Sequence, residues 1–440
     1  MHNGEETAMK KYIEPQKEIP ISYETDVCVI GSGPAGFAAA YSAAKRGASV
    51  ILIEQLGDIG GMSTSGLMSH WVGNVNCSVY SEIMRRTAQM NEGEHKGKIT
   101  IYIDAEKLKT LYLQMLEEVN CKILFYTLAC DVIKEGNELK GVIIESKSGR
   151  EAIMAKCIID ASGDGDIAAK SGAEYFTGRE SDGKMQPATL MFKVGGVDTD
   201  RAVYLGSFES TYVTEKGELQ ELAKKHLKHP AGHVLTYHTT LPGIVTCNMT
   251  NSINVDGTKG EDLTKALIEC RSQIDSIVKF LREYVPGYEK CFAVSSASLI
   301  GIRETRHFKG MYTITEDDVL AARQFDDWVV RDALFNFDVH NIEGSGLDKT
   351  GVQKKFKQTK GYTIPYGCLV PEKIDNLLLA GRNISGTHMA HSNFRAMPIC
   401  AGTGEAAGVA AAIASKQGIK PRDVNVKEIQ DILIENGMVV

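Results

Sequence analysis

The chain has 440 residues, 43% hydrophobic and 24% charged, which is enough for two or three domains with their own cores. Its net charge of -7 and pI near 5.9 supply no positive field for a phosphate backbone, so nucleic acid is not an expected partner. A polar N-terminus and the lack of any run of about 18 apolar residues argue against a signal peptide or membrane partner and point to a cytoplasmic protein.

The first element is a buried parallel strand, Val27, Cys28, Val29 and Ile30, which opens into GSGPAGFAAA. Gly31, Gly33 and Gly36 allow a tight turn, close approach of backbone to a pyrophosphate, and tight packing of helix on strand. The helix from Pro34 to about residue 46 directs its N-terminal amides at the phosphates, with Ala35 in its first turn. One strand later Glu54 is placed to accept hydrogen bonds from a ribose 2′-hydroxyl. Strand, turn, helix, strand and acid in this order predict a dinucleotide site, without deciding between NAD and FAD.

A glycine-rich segment, GDIGGMSTSG, follows. Helices are expected over 80–90 and 105–119, the second with Leu108, Leu111, Leu113 and Leu116 as its apolar stripe. A strand at 123–126 leads to a meander of strands at 131–134, 140–145 and 153–160, with glycine-containing turns EGNE and KSGR between them. The meander ends in DASGDGD. From about residue 173 short extended stretches alternate with polar turns until an amphipathic helix over 262–285, which Pro286 stops. The apolar strand Leu377 to Ala380 then restores the character of the opening. The expected architecture is α/β: a Rossmann-like FAD-binding domain with a parallel sheet and a β-meander, formed by residues 1–172 and 361–440, with an inserted α+β substrate or cap domain at 173–360.

The strand at 377–380 ends at Gly381 and Arg382, and GTGEAAGVAAAIA is read as opening a small-residue helix with Gly402, Gly404 and Gly408. Such an N-terminus can direct amides and dipole at the pyrimidine end of an isoalloxazine, which an NAD domain does not need; the alternative is a close-packed Ala/Gly helix. Ten cysteines lie singly, with no CxxC or ferredoxin-type spacing, and read as small buried apolar residues. His226 and His229 have no third ligand spaced to join them, so no metal is expected.

At GSGPAG with Glu54, GGMSTSG, DASGDGD, IRETRHFKG, FDVHN, IPYGCL, AGRNISGTHMAHSNFRAMP and GTGEAAG, the sequence resembles FAD-dependent oxidoreductases with a glutathione-reductase-type FAD fold. The branch it most resembles is that of fumarate reductase and succinate dehydrogenase flavoproteins. The resemblance implies that Gly31, Gly33, Pro34, Ala35, Gly36 and Glu54 hold the ADP half of FAD, as do Ala161, Gly163 and Asp164 nearby. It places Gly61, Met62 and Thr64 beside the ribityl chain and flavin, and Gly381, Arg382 and Gly404 near the pyrophosphate and ring. The membrane-bound relatives attach flavin through a histidine just before the GG loop; here none occurs until His70, so FAD is expected to bind non-covalently. No second strand-GxGxxG unit is present for NAD(P)H, so a separate electron donor or acceptor is implied, and a homo-oligomer is left open.

His391 and Arg395 share the HxxxR spacing of the HGANR segment lining the dicarboxylate site of fumarate reductases. A guanidinium holds a carboxylate by two parallel hydrogen bonds, and a histidine adds a third or moves a proton. The alternative is that Arg395 pairs with a structural acid and His391 caps carbonyls. Arg303, Glu304 and Arg306 suggest either an anion site or an ion-pair network between domains. His340, after Asp338, suits a histidine oriented by an acid. The expected function is hydride transfer between FAD and a small, anionic organic substrate; the rivals are a flavoprotein acting on RNA and an electron-transfer subunit without its own substrate site.

Overall fold

The computed structural model describes residues 11–68, 70–90, 101–348 and 358–439. Its main sheet is built around Ile21–Ile30, whose last four residues are buried, as a strand covered on both faces requires. Val50–Ile53 pairs parallel on one side, followed by Lys122–Leu124, and Gly149–Asp160 pairs parallel on the other. Gly149–Asp160 serves two purposes. Its first half is the third strand of an antiparallel meander with Leu128–Glu135 and Glu138–Ser146, and its end pairs parallel with Leu377–Leu379. The registers Ile30 to Ile53, Ile30 to Asp160 and Leu379 to Asp160 align four strand ends. The glycine-rich turns after those ends therefore gather at one edge of the sheet, where open α/β sheets bind ligands.

Two helices cross closely over this sheet. Pro34–Lys45 is almost entirely buried because its residues are small and apolar all round, and Met397–Gln417 has the same composition. A Cβ on Gly404 would stand 2.0 Å from the Ala35 carbonyl oxygen, and one on Gly408 would stand 2.3 Å from that of Ala39. Met397–Gln417 is long and apolar enough to cross a membrane, but 94% of its apolar window is buried within the protein. It begins at Met397, not at GTG, because Pro398 fits the first turn. Gly404 therefore lies in the second turn and packs against Ala35, which corrects its expected place at an exposed helix end. In Ala105–Glu118 the buried stripe is Leu108, Leu111, Tyr112, Met115 and Leu116; Leu113 is exposed.

A second core runs from Leu190 to Ala297. Its antiparallel sheet has the order Thr236–His238, Val245–Cys247, Phe192–Gly195, Phe292–Ser296, and it packs on Gly260–Tyr284. Phe308, Ile314, Val330 and Phe337 belong to the first core, and Trp328–Leu334 pairs with both Tyr362–Pro365 and Asn74–Asn76. Residues within 308–337 thus contribute to the first core from inside the stretch expected to be the insertion, and the strand at 328–334 supplies pairing that its sequence alone does not assign. All ten cysteines are free, and eight are buried.

Candidate active site

The three fingerprint glycines divide the work. Gly31 has φ +88°, and a Cβ there would meet the Ala161 carbonyl oxygen at 2.6 Å, so the turn needs glycine. Gly36 would place a Cβ 1.7 Å from the Gly31 carbonyl oxygen, so it serves packing, with the Ala161 methyl on the same contact at 3.3 Å. Gly33 meets nothing within 4 Å, which leaves open space in front of the helix that Pro34 begins. The first turn of that helix carries no acidic side chain and its cap makes no side-chain hydrogen bond, so the Ala35 and Gly36 amides are available to an anion.

Glu54 stands buried beside this opening, where its Oε2 accepts from Ser32 N at 2.9 Å and Ser32 Oγ at 2.7 Å, and its Oε1 accepts from Leu56 N at 2.8 Å. It braces the glycine turn and retains lone pairs for a ribose. A Cβ on Gly61 would stand 3.0 Å from Gly33 Cα, so the two glycine backbones face each other. Met62 packs against Gly66 and Gly301, while the buried Thr64 hydroxyl donates to the Ile59 carbonyl and holds the loop's shape. Gly163, at φ +90°, lies against the Arg382 guanidinium, and Arg382 Nη2 pairs with Asp164 at 2.7 Å. Thr305 Oγ1 also donates to Asp164, at 2.6 Å. Gly381, at φ +91°, donates its amide to Thr403 Oγ1 and approaches the Ala35 methyl. An ADP group fits this cradle, which offers free amides, open backbone and an acid at the sugar position.

Beyond the glycine loops, Arg303, Arg395 and His340 gather round Asp338. Arg395 Nη2 donates to the Asp338 carboxylate at 2.9 Å and to its carbonyl at 2.7 Å, and its buried Nε has no partner. His340 Nε2 lies 3.4 Å from the same carboxylate. Burial works against the Asp338 charge, but His340, Arg395 and Arg303 outweigh it and hold the carboxyl below its usual range. Arg303 donates to the Pro187 carbonyl at 2.5 Å, and burial together with Arg395 lowers its pKa to about 10. It stays charged at neutral pH. Burial and Arg303 push His340 down to about 4, so it is neutral there. Two guanidinium charges therefore face one carboxylate.

The family model described as FAD dependent oxidoreductase matches residues 26–433. The chain belongs to this family. Among curated relatives, the oxidoreductase is 26% identical over 154 residues to a digeranylgeranylglycerophospholipid reductase of Picrophilus torridus, covering 31% of this chain and 39% of that protein. A urocanate reductase of Eggerthella lenta is 47% identical over 47 residues, covering 11% of this chain and 8% of that protein. The chain thus matches well under two thirds of the length of these relatives. A geranylgeranyl bacteriochlorophyll reductase-like structure from Thermoplasma acidophilum superposes with a TM-score of 0.52 at 14% identity, covering 94% of this chain and 84% of that one, which shows a shared fold. FAD is the cofactor of the family, and the cradle suits it.

The oxidoreductase places His391 differently from Arg395. His388 and His391 lie one turn apart on His388–Phe394 and face Glu304, whereas Arg395, the cap residue still in helical conformation with its amide on the His391 carbonyl, extends its long side chain to Asp338. The His391 ring lies in a second cluster with Glu304 and His307. There the buried Glu304 accepts from His307 Nε2 at 2.8 Å, from His388 Nδ1, and from Gln186 N at 3.1 Å. Burial opposes the Glu304 charge, but contact with His307 and His388 lowers its pKa; burial alone would lower that of His388, which Glu304 raises. Arg306 donates to Asp166 and to the Asp164 carbonyl, both at 2.8 Å, so Glu304 and Arg306 are each engaged in a network, whereas Arg303 lies near Arg395 and Asp338. The ExxH and HxxH spacings in IRETRHFKG and GTHMAHSNF were the signals of this cluster in the sequence. Also missed were His70, stacked on Tyr237 at 3.5 Å between centroids, and His233, both in short strands or loops without a motif.

Proposed function

We propose that this oxidoreductase transfers a hydride between non-covalently bound FAD and a small anionic organic substrate held by Arg303 and Arg395. The observation that supports this is the charge excess: the half-buried Arg395 and Arg303 guanidiniums stand near the Asp338 carboxylate, with which Arg395 pairs directly, and Arg395 Nε has no partner. An uncompensated buried charge is costly, and a substrate carboxylate would offset it through charge-assisted hydrogen bonds. FAD, when bound, supplies the hydride donor or acceptor. Asp338 orients Arg395 and His340, and His340, neutral in the ligand-free site, is the group placed to take or give a proton. An anion beside it would raise its pKa toward working pH. The sequence similarity to a urocanate reductase, whose named substrate is a small carboxylate, supports the same reading.

Electrons would come from or go to a separate partner, since the chain carries one strand-GxGxxG unit. The test is anaerobic reduction and reoxidation of the FAD-loaded protein against a panel of small carboxylic acids. At least one acid should exchange electrons with the flavin, and Arg395→Ala should lose most of that turnover with its flavin retained. Normal turnover by Arg395→Ala and by Arg303→Ala would refute the assignment.

A further inference from the structure

The Glu304 cluster has a composition that substrate anchoring does not explain. One ligand atom each from Glu304, His307 and His391 lies within 4.8 Å of the other two, and all three residues are buried. Glu304 and His307 come from an ExxH segment, while His391 comes from an HxxH turn of the helix His388–Phe394. Two buried ring nitrogens, His307 Nδ1 and His391 Nδ1, have no hydrogen-bond partner, and an unpaired buried polar atom costs stability. His388 contacts the carboxylate through Nδ1.

We propose that Glu304, His307 and His391 bind a divalent first-row transition metal ion, with His388 orienting the Glu304 carboxylate. Imidazole and carboxylate are the ligand set such ions take, and three protein ligands leave a position for water or for His388 itself. Bonds of about 2.0–2.2 Å hold tetrahedral ligand atoms about 3.4 Å apart, so closing the present spacing takes small side-chain rotations. The outer contact from His388 is of the kind that fixes a ligand's direction. Glu304 is adjacent to Arg303, and His391 is one helical turn before Arg395. The ion would therefore clasp the segment between the two cores to the helix before Met397–Gln417 and set the spacing of the two anion-binding arginines. The metal site itself stands apart from the proposed substrate chemistry; only its effect on the arginine spacing rests on that reading.

The test uses the full-length, FAD-loaded protein, stripped with a chelator, dialysed and titrated with Co(II) and Zn(II). About one equivalent of Co(II) should bind with visible d–d bands and no sulfur-to-cobalt charge transfer, and Zn(II) should displace it and raise the Tm. His391→Gln should lose the stoichiometric site, and His388→Ala should weaken it by about 10–100-fold. Loss of flavin from a variant would mark misfolding, in which case the wild-type titration and its ligand spectrum decide. No stoichiometric Co(II) on the wild type, a thiolate spectrum, or unchanged binding by a flavin-loaded His391→Gln would overturn the proposal.

Discussion

Gly404 is in backbone contact with Ala35: a Cβ on the glycine would stand 2.0 Å from the alanine carbonyl oxygen. The helix that begins at the fingerprint is thereby held by the helix near the C-terminus, although 369 residues separate the two positions (404 minus 35). The contact is backbone on backbone, so no side-chain rotation relieves a substitution. Gly404→Ala should cost at least about 1–3 kcal/mol, lower the Tm and release FAD by displacing Ala35. Gly402→Ala meets only the Val330 and Val75 methyls, at 3.2 Å, and should cost less. Equal melting temperatures for the two variants would refute this account.

Gly33 and Gly36 should separate folding from cofactor binding. Gly33 has an extended backbone that any residue adopts and open space at its Cβ, so Gly33→Ala should leave apo stability within about 0.5 kcal/mol. The added methyl would occupy the space needed for close approach, and FAD should bind at least about tenfold more weakly, a loss of about 1.4 kcal/mol. Gly36→Ala should unfold more readily even without FAD, because its Cβ would collide with the Gly31 carbonyl. Apo melts and flavin titrations of both variants check the contrast.

The charge excess around Asp338 predicts opposite effects from its members. Arg395→Ala should weaken binding of small carboxylates by about 10–100-fold, the range of a charge-assisted hydrogen bond worth about 1.5–3 kcal/mol. Asp338→Asn removes the one negative charge and should tighten the same anions. Titration of the visible flavin spectrum with each acid reads both. Weaker binding by Asp338→Asn, with flavin retained, would show that the orienting role of Asp338 outweighs the repulsion of its charge, and would refute the charge-excess account.

Burial pushes His70 and His233 down to about 3, and burial with Arg303 pushes His340 to about 4, from an ordinary 6.5. Between about pH 6.5 and 4 the unfolded chain binds protons at these positions and the native protein does not, so stability falls as pH falls. Each histidine should steepen the loss by up to about 1.4 kcal/mol per pH unit. Denaturant melts from pH 7 to 4 measure this, and His70→Phe should flatten the slope by removing one proton. An unchanged slope would show that His70 titrates normally in the native state.

Much of the site could be read directly because its parts are local. The roles of Gly31, Gly33 and Gly36 follow from a strand, a turn and a helix adjacent in sequence, and the strands and meander turns fell within a few residues of their expected positions. The helix begins at Met397 and not at GTG because Pro398 fits its first turn, and Gly404 and Gly408 are spaced for a second helix to approach. The strand Trp328–Leu334 is not legible locally because its partners, Asn74–Asn76 and Tyr362–Pro365, lie far away in sequence.

The sequence by itself determined the fold class and the cofactor, since a Rossmann fingerprint is a short stretch whose spacing states its own geometry. Only the tertiary structure decided the company kept by the charged residues beyond it. Arg395 and His391 are four residues apart and one helical turn from each other, yet the long arginine side chain reaches Asp338 while the His391 ring lies with Glu304 and His307. Which partner a side chain meets depends on its reach and on what long-range packing brings to each face, and neither is encoded in the spacing of two residues.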